Sequence, residues 1–177
     1  MGNLARAGQL RLALWGGAGL LLLVPLVAMQ LGTGVDWSAG DFLFAATMLG
    51  GAGAAFEIGI RAGRSWRYRA GLALALFGAV TLVWACGAVG LLGSEGNPAN
   101  LLYLGVIGIG LGGAIGARLE PAGMARAMIA TAVALIAVGV LAIPAGWGGG
   151  SPVVEILGLN AGFAALFAGA AAFFRRS

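Results

Sequence analysis

The sequence contains no lysine, no histidine and a single cysteine, Cys86. Without lysine, no Schiff base with a chromophore or cofactor can form, so a retinal protein is excluded. Histidine is the commonest metal ligand and general base, and no serine or cysteine nucleophile can be paired with one here. One cysteine cannot form an internal disulfide. We therefore expect no metal, no cofactor, no catalytic residue and no enzyme; chemistry by carboxylates alone, at Asp41, Glu95 and Glu155, is the remaining alternative.

Charged residues are also scarce. They make up 9% of the 177 residues, whereas 60% are hydrophobic and the mean hydropathy is +0.99. A soluble domain carries about 25% charged residues. So few charges cannot cover a globule in water, which indicates that the chain is solvated by lipid. The length predicts a single transmembrane domain over residues 1–177.

Long apolar runs are abundant. Each of them approaches the roughly 20 residues that a membrane-spanning helix needs. Their polarity does not alternate as in the strands of a membrane β-barrel, so helices are favoured. The first run is longer than the apolar part of a signal peptide, so we expect it to be retained. The fold class predicted is an all-α polytopic membrane protein, with six transmembrane helices forming three antiparallel hairpins. The runs are Leu12–Leu31, Gly40–Ile60, Ala70–Leu92, Asn100–Ala117, Ala127–Pro144 and Val153–Phe174.

The arginines fall on one side of a six-span chain, and four of the ten lie in the short stretch 61–69. Positive loops are retained in the cytoplasm, so we expect both termini there and the protein in a bacterial inner membrane. The opposite side receives Asp36, Asp41, Glu95 and Glu155. Because the basic residues form short clusters at the ends of the runs rather than a continuous face, no nucleic-acid partner is expected. The arginines are Arg6, Arg11, Arg61, Arg64, Arg67, Arg69, Arg118, Arg126, Arg175 and Arg176.

Glycine is abundant, with 34 residues. Small residues let helices approach closely in lipid, where the hydrophobic effect does not drive their association. Faces of this kind predict that helices two and four form the packed centre; a glycine-lined pore or ligand slot is the alternative. Residues 108–113 match a dinucleotide-binding pattern, but they lie inside a span without a preceding strand, so we reject that interpretation. The predicted packing glycines are Gly50, Gly53, Gly105, Gly108, Gly112 and Gly116.

Several polar side chains lie within or beside the spans. A carboxylate in a membrane is a candidate functional group, but Glu57 can also pair with Arg61 one turn away. Asp41, Asn100 and Glu155 begin helices that enter from outside, where they would cap the helices or form a cation-attracting mouth. A deeper set, Thr47, Trp84, Cys86, Tyr103 and Asn160, would line a shallow outer cavity or bond helices together. The ligand or transport candidates are Asp41, Glu57, Trp84, Glu95, Asn100, Tyr103, Glu155 and Asn160.

A weak repeat accompanies these positions. Arg11, Arg69 and Arg126 open the outward helices at intervals of 58 and 57 residues. Three related hairpins would produce this spacing, and so would charge bias in any six-span protein.

The pieces Trp37-Ser-Ala-Gly-Asp-Phe42, Phe56-Glu57 and Gly93-Ser-Glu-Gly-Asn-Pro-Ala-Asn100 resemble those of a family of small bacterial multi-pass inner-membrane proteins with no assigned activity. This resemblance implies the membrane class and no mechanism. Two functions are compatible with the sequence. We prefer a non-enzymatic membrane module with an accessory, assembly, or lipid- or partner-binding role. Its expected partners are membrane lipids and either a second copy or a larger membrane complex. The alternative is a small transporter or channel for a cation or small solute.

Overall fold

The computed structural model describes residues 2–61 and 65–177, apart from the side chains of residues 2–7 and 10. Arg64 and the Arg6 side chain therefore lie outside the described residues. Within them, six helices are long and apolar enough to cross a membrane, which confirms the predicted all-α polytopic fold class. The helices are α1 (Gly2–Gln30), α2 (Ala39–Arg61), α3 (Trp66–Ala88), α4 (Leu102–Gly116), α5 (Pro121–Ala142) and α6 (Val153–Arg175).

Contacts divide the chain into two compact units, Met1–Gly63 and Arg64–Ser177; the single transmembrane domain stays a prediction. In the first unit, α1 packs against α2 as an antiparallel hairpin. Pro25 lies inside α1 without ending it, and α2 runs without interruption through its glycines. Both helices are therefore continuous.

The second unit contains α3–α6. The most extensive interface joins α5 to α6, α3 packs mainly against α6, and α4 packs mainly against α5. The packing order is therefore α3–α6–α5–α4. Direct contact between α3 and α4 is slight, so this consecutive antiparallel pair is not packed as tightly as a hairpin. Large buried side chains at the interfaces include Leu82, Tyr103, Leu135, Phe167 and Phe174.

Local capping explains why several helices begin or end away from the limits of their apolar runs. Helix α3 begins at Trp66, because the Ser65 hydroxyl accepts a hydrogen bond from the Tyr68 amide at 3.2 Å. It ends at Ala88, since Gly90 follows in the left-handed conformation at φ 76° and donates to the Ala85 carbonyl. The apolar run Ala70–Leu92 therefore extends past the end of α3 into a turn.

Helix α4 is short, with 15 residues, but a 3₁₀ turn over Pro98–Leu101 precedes it. At about 1.5 Å per α-helical residue and 2.0 Å per 3₁₀ residue, the two together reach about 30 Å, the thickness of a hydrocarbon core. Helix α5 instead begins at Pro121, since proline suits the first helical position.

Within the second unit, the α4 glycines that face α5 are not the predicted ones. Gly110 and Gly113 face α5 instead: a Cβ at Gly110 would stand 2.8 Å from Thr131 Oγ1, and one at Gly113 would stand 2.7 Å from Ala127 Cβ. Both faces of α4 carry small residues, so spacing alone does not identify the packed face. Among the described residues of the unit, nothing beyond the adjacent residues and the local helix backbone lies within 4 Å of a Cβ built on the predicted glycines Gly105, Gly108, Gly112 and Gly116, which are exposed.

Helix α2 confirms half of its predicted glycine face. Gly53 is buried, and a Cβ there would stand 3.2 Å from the Trp15 ring of α1. For Gly50, no described residue of the first unit beyond the adjacent residues and the local helix backbone lies within 4 Å of the Cβ position, so a packing role is not observed there. The indole of Trp15 therefore takes the place that a second helix backbone would occupy in a glycine-mediated crossing.

Candidate functional site

The two ends of the second unit differ in chemistry. At one end, the Tyr68 hydroxyl donates to the Leu119 carbonyl at 2.9 Å, and Arg67 Nη1 donates to the Arg176 carbonyl at 3.3 Å. These bonds bring together the start of α3, the α4–α5 connection and the end of α6. We call this the arginine end; its described arginines are Arg67, Arg69, Arg118, Arg126, Arg175 and Arg176. The opposite end, which we call the loop end, consists of the α3–α4 and α5–α6 connections.

The distribution of charge between these ends agrees with the sequence prediction. Arg69 lies in the first turn of α3 and Arg126 in the second turn of α5, and both helices begin at the arginine end. The loop end carries Glu95 and Glu155, both of which are exposed. The Tyr68 ring is buried at the arginine end and packs edge-on against Phe174 at 5.1 Å.

Two asparagines fold the α3–α4 connection at the loop end. Asn100 Oδ1 accepts hydrogen bonds from the amides of Leu91 and Leu92, both at 3.0 Å, and its Nδ2 donates to the Ser94 carbonyl at 2.8 Å. Asn100 is 7% exposed. It was predicted to cap a helix or to form an external mouth. It does neither, because its amide is consumed inside its own connection.

Asn97, which the sequence analysis did not single out, joins the two connections. Its Oδ1 accepts from the Ala99 amide, while its Nδ2 donates to the carbonyls of Leu92 at 2.7 Å and of Trp147 at 2.6 Å. Gly93 makes this approach possible: its φ is 78°, and a Cβ there would stand 3.0 Å from the Gly148 carbonyl oxygen. An asparagine followed by proline, as in Asn97-Pro98, was the signal available in the sequence.

Asn160 and Tyr103 form the most deeply buried polar pair among the transport candidates. Each is 1% exposed, and the Tyr103 hydroxyl donates to Asn160 Oδ1 at 3.0 Å. Asn160 Nδ2 donates to the Ile156 carbonyl at 2.9 Å within α6. The pair connects α4 to α6. The hydrogen bonds between protein groups give both side chains the partners that a buried polar group requires.

Gly139 of α5 provides the space for this pair. A Cβ at Gly139 would stand 2.9 Å from both Cβ and Cγ of Asn160, so a larger residue would displace the amide. About two turns deeper along α5, Thr131 faces Gly110 of α4; it is fully buried and donates to the Ala127 carbonyl at 2.9 Å. Neither Gly139 nor Thr131 was singled out from the sequence, because a lone glycine or threonine in a helix gives no sign of its partner.

Glu57 lies at the centre of an ionic cluster in the first unit. Its Oε1 lies 2.6 Å from Arg61 Nη2 and 3.2 Å from Arg11 Nε; the first contact is a hydrogen-bonded ion pair, whereas the second lacks the angle of a hydrogen bond. Its Oε2 accepts a hydrogen bond from Trp15 Nε1 at 3.4 Å. The predicted pairing with Arg61 is confirmed. Two contacts with α1 are added, so the carboxylate links both helices of the hairpin.

The remaining candidates lie partly in the first unit and partly in the second. Asp41 accepts hydrogen bonds at 2.8 Å from the amide and the hydroxyl of Ser38, which makes it part of a capping arrangement at the start of α2. Thr47 donates to the Leu43 carbonyl within α2. Trp84 is 41% exposed on α3, and the Cys86 thiol is half-buried. Of the proposed outer cavity, the described structure joins Tyr103 and Asn160 directly and leaves Thr47 in the other unit.

Among the described residues, no three His, Cys, Asp or Glu side chains are grouped so that they could hold a metal ion. Comparison of the chain with family models, with curated proteins and with solved structures gave no match.

Proposed function

We propose that this integral membrane protein is a non-enzymatic module that supports a membrane assembly or binds lipid or a protein partner through its outer surface. The observation that carries the proposal is the burial and hydrogen bonding of Tyr103 and Asn160. They are the polar groups that a route through the second unit would use, yet each is bonded to protein and buried.

The loop end supports the same proposal. Asn97 and Asn100 direct their amides at backbone carbonyls and amides of the two connections, which fastens these connections to each other. Glu57 is likewise held by three partners on two helices. Polar groups used in this way stabilise a fixed helix arrangement, whereas a carrier typically places polar groups and broken helices near the membrane centre.

The alternative, a small transporter or channel for a cation or small solute, is favoured by one observation. Asp41, Glu95 and Glu155 are exposed and lie near helix ends that face away from the arginines of their own unit. Such carboxylates would attract cations. They do not, however, continue into a set of inward polar side chains among the candidates described above.

The proposed location is a bacterial inner membrane with both termini in the cytoplasm. The grouping of the arginines at one end of each unit supports this orientation, because basic segments remain on the cytoplasmic side. The family resemblance carried by the segment 93–100 supports the same class, and membership of that family is part of the proposal.

Flux measurements in liposomes test the proposal. The wild-type protein, reconstituted with a sodium- or potassium-sensitive dye inside, should give the same cation flux as protein-free liposomes. The variants Asn160→Ala and Glu57→Gln should give the same result. Wild-type flux that either variant abolishes would replace the module with the transporter. Native mass spectrometry of the mildly extracted protein supplies the positive readout: a stoichiometric partner or second copy supports the module.

A further inference from the structure

The arginine end of the second unit is the most strongly charged surface that the structure describes. Six arginines converge there, and one acidic residue, Glu120, lies among them. Retention of positive loops during insertion accounts for the sign of this charge. It does not account for the positions in which the arginine side chains are held. Three observations describe those positions.

The first observation concerns helix dipoles. Arg67 and Arg69 lie in the first turn of α3, which contains no acidic residue, and Arg126 lies in the second turn of α5. A helix N-terminus carries partial positive charge, so cations there are unfavourably placed. The C-termini of α4 and α6 lie at the same end and carry partial negative charge, which suits the arginines beside them. The start of α3 is the place where side-chain charge and dipole have the same sign, and an anion there would relieve both.

The second observation concerns Arg69 itself. Its Nε is buried and has no hydrogen-bond partner among the described residues. Guanidinium groups prefer planar, bidentate acceptors such as phosphate and carboxylate, and a buried donor without an acceptor is costly. Among the described residues, the Nε donor of Arg69 thus has no acceptor.

The third observation gives the depth at which the acceptor would lie. Trp66 is 66% exposed at the start of α3, its ring packs edge-on against Phe173 at 6.3 Å, and the Arg67 guanidinium lies 5.5 Å from its centre. Exposed tryptophans at the ends of spans lie at the level of lipid headgroups. The arginines are therefore held where phosphodiester groups of the membrane are found.

We propose that the arginine end is a binding surface for the headgroups of anionic phospholipids, with Arg69 and Arg126 as its principal anion ligands. This inference rests on the proposed membrane placement and names the lipid class for the module. A basic residue near an anionic surface contributes about 1 kcal/mol, which corresponds to about fivefold in affinity. A zwitterionic lipid carries no net charge to attract the cluster and is bound more weakly.

Native mass spectrometry of the delipidated full chain, titrated with phosphatidylglycerol or phosphatidylcholine, tests the proposal. The wild type should bind phosphatidylglycerol at least fivefold more tightly. Arg126→Gln, at an exposed position, and Arg69→Gln should each lower that affinity about fivefold. The matched control is Arg61→Gln, which removes the same charge from the first unit and should leave the affinity within twofold.

Three results would overturn the proposal: equal binding of the two lipids, an equal loss in Arg61→Gln, or displacement of phosphatidylglycerol by millimolar inorganic phosphate, which would make a free anion the occupant. If Arg69→Gln misfolds, as judged by its thermal unfolding, Arg126→Gln alone decides. None of these results alters the flux or partner measurements, so the lipid inference fails separately from the proposed function.

Discussion

Replacing Tyr103 with phenylalanine removes one hydroxyl from the interior of the second unit and retains the ring. The hydroxyl donates to Asn160 Oδ1 at 3.0 Å between α4 and α6, and both residues are buried. Hydrogen bonds between membrane helices contribute about 0.6 kcal/mol on average and up to about 1.7 kcal/mol. An acceptor left unsatisfied in a dry interior costs about 1–3 kcal/mol. We therefore expect Tyr103→Phe to lower the free energy of unfolding by about 1–2 kcal/mol.

Equilibrium unfolding of the micelle-embedded chain by increasing SDS measures this change. Asn160→Leu, alone and combined with Tyr103→Phe, completes a double-mutant cycle whose coupling energy should be about 1 kcal/mol. Thr81→Val is the matched control, because Thr81 donates to the Phe77 carbonyl within its own helix and should have a small effect. An unchanged stability in Tyr103→Phe, together with zero coupling, would mean that water satisfies Asn160 and would restore the cavity hypothesis.

Three further predictions concern other parts of the fold. Gly139→Ala should destabilise the second unit by about 1–3 kcal/mol, because the added methyl group overpacks against the Asn160 amide. Gly108→Ala, with open space around its Cβ, should be neutral. Unfolding in SDS measures both variants. Asn100→Leu leaves two backbone amides of the α3–α4 connection without their acceptor, and faster hydrogen exchange at those amides should report it. Glu57→Gln should broaden the spin-label distance distribution between α1 and α2, because a neutral amide no longer attracts two guanidinium groups, whereas Glu95→Gln should leave it unchanged.

The fold class and the separation of charge were predictable from the sequence. The six apolar runs predict the fold class, and the arginines at alternate connections predict the separation of charge. Both are patterns of residues that lie near one another in the chain. Helix limits were less predictable: Gly90 ends α3 in the middle of an apolar run, and Ser65 starts it before the run begins.

Packing was the least predictable feature. Helix α3 packs mainly against α6, which lies far from it in sequence, rather than against α4. On α4, Gly108 and Gly110 belong to different faces, and both faces look suited to close approach. The positions of Tyr103 and Asn160 along their helices predicted that they lie at the same depth, and they are hydrogen-bonded. The close packing of Gly139 against Asn160 was not predictable, because it depends on a third helix.

Labelling from one side of the membrane tests the central claim, that the arginine end and the loop end lie on opposite membrane faces with the arginines in the cytoplasm. In a Cys86→Ala background, cysteines are introduced singly as Gly96→Cys in the α3–α4 connection and Arg118→Cys in the α4–α5 connection. An impermeant maleimide added to intact spheroplasts should label the first at once, and the second once the membrane has been permeabilised. Labelling of both from the same side, or of Arg118→Cys alone in intact spheroplasts, would contradict the account.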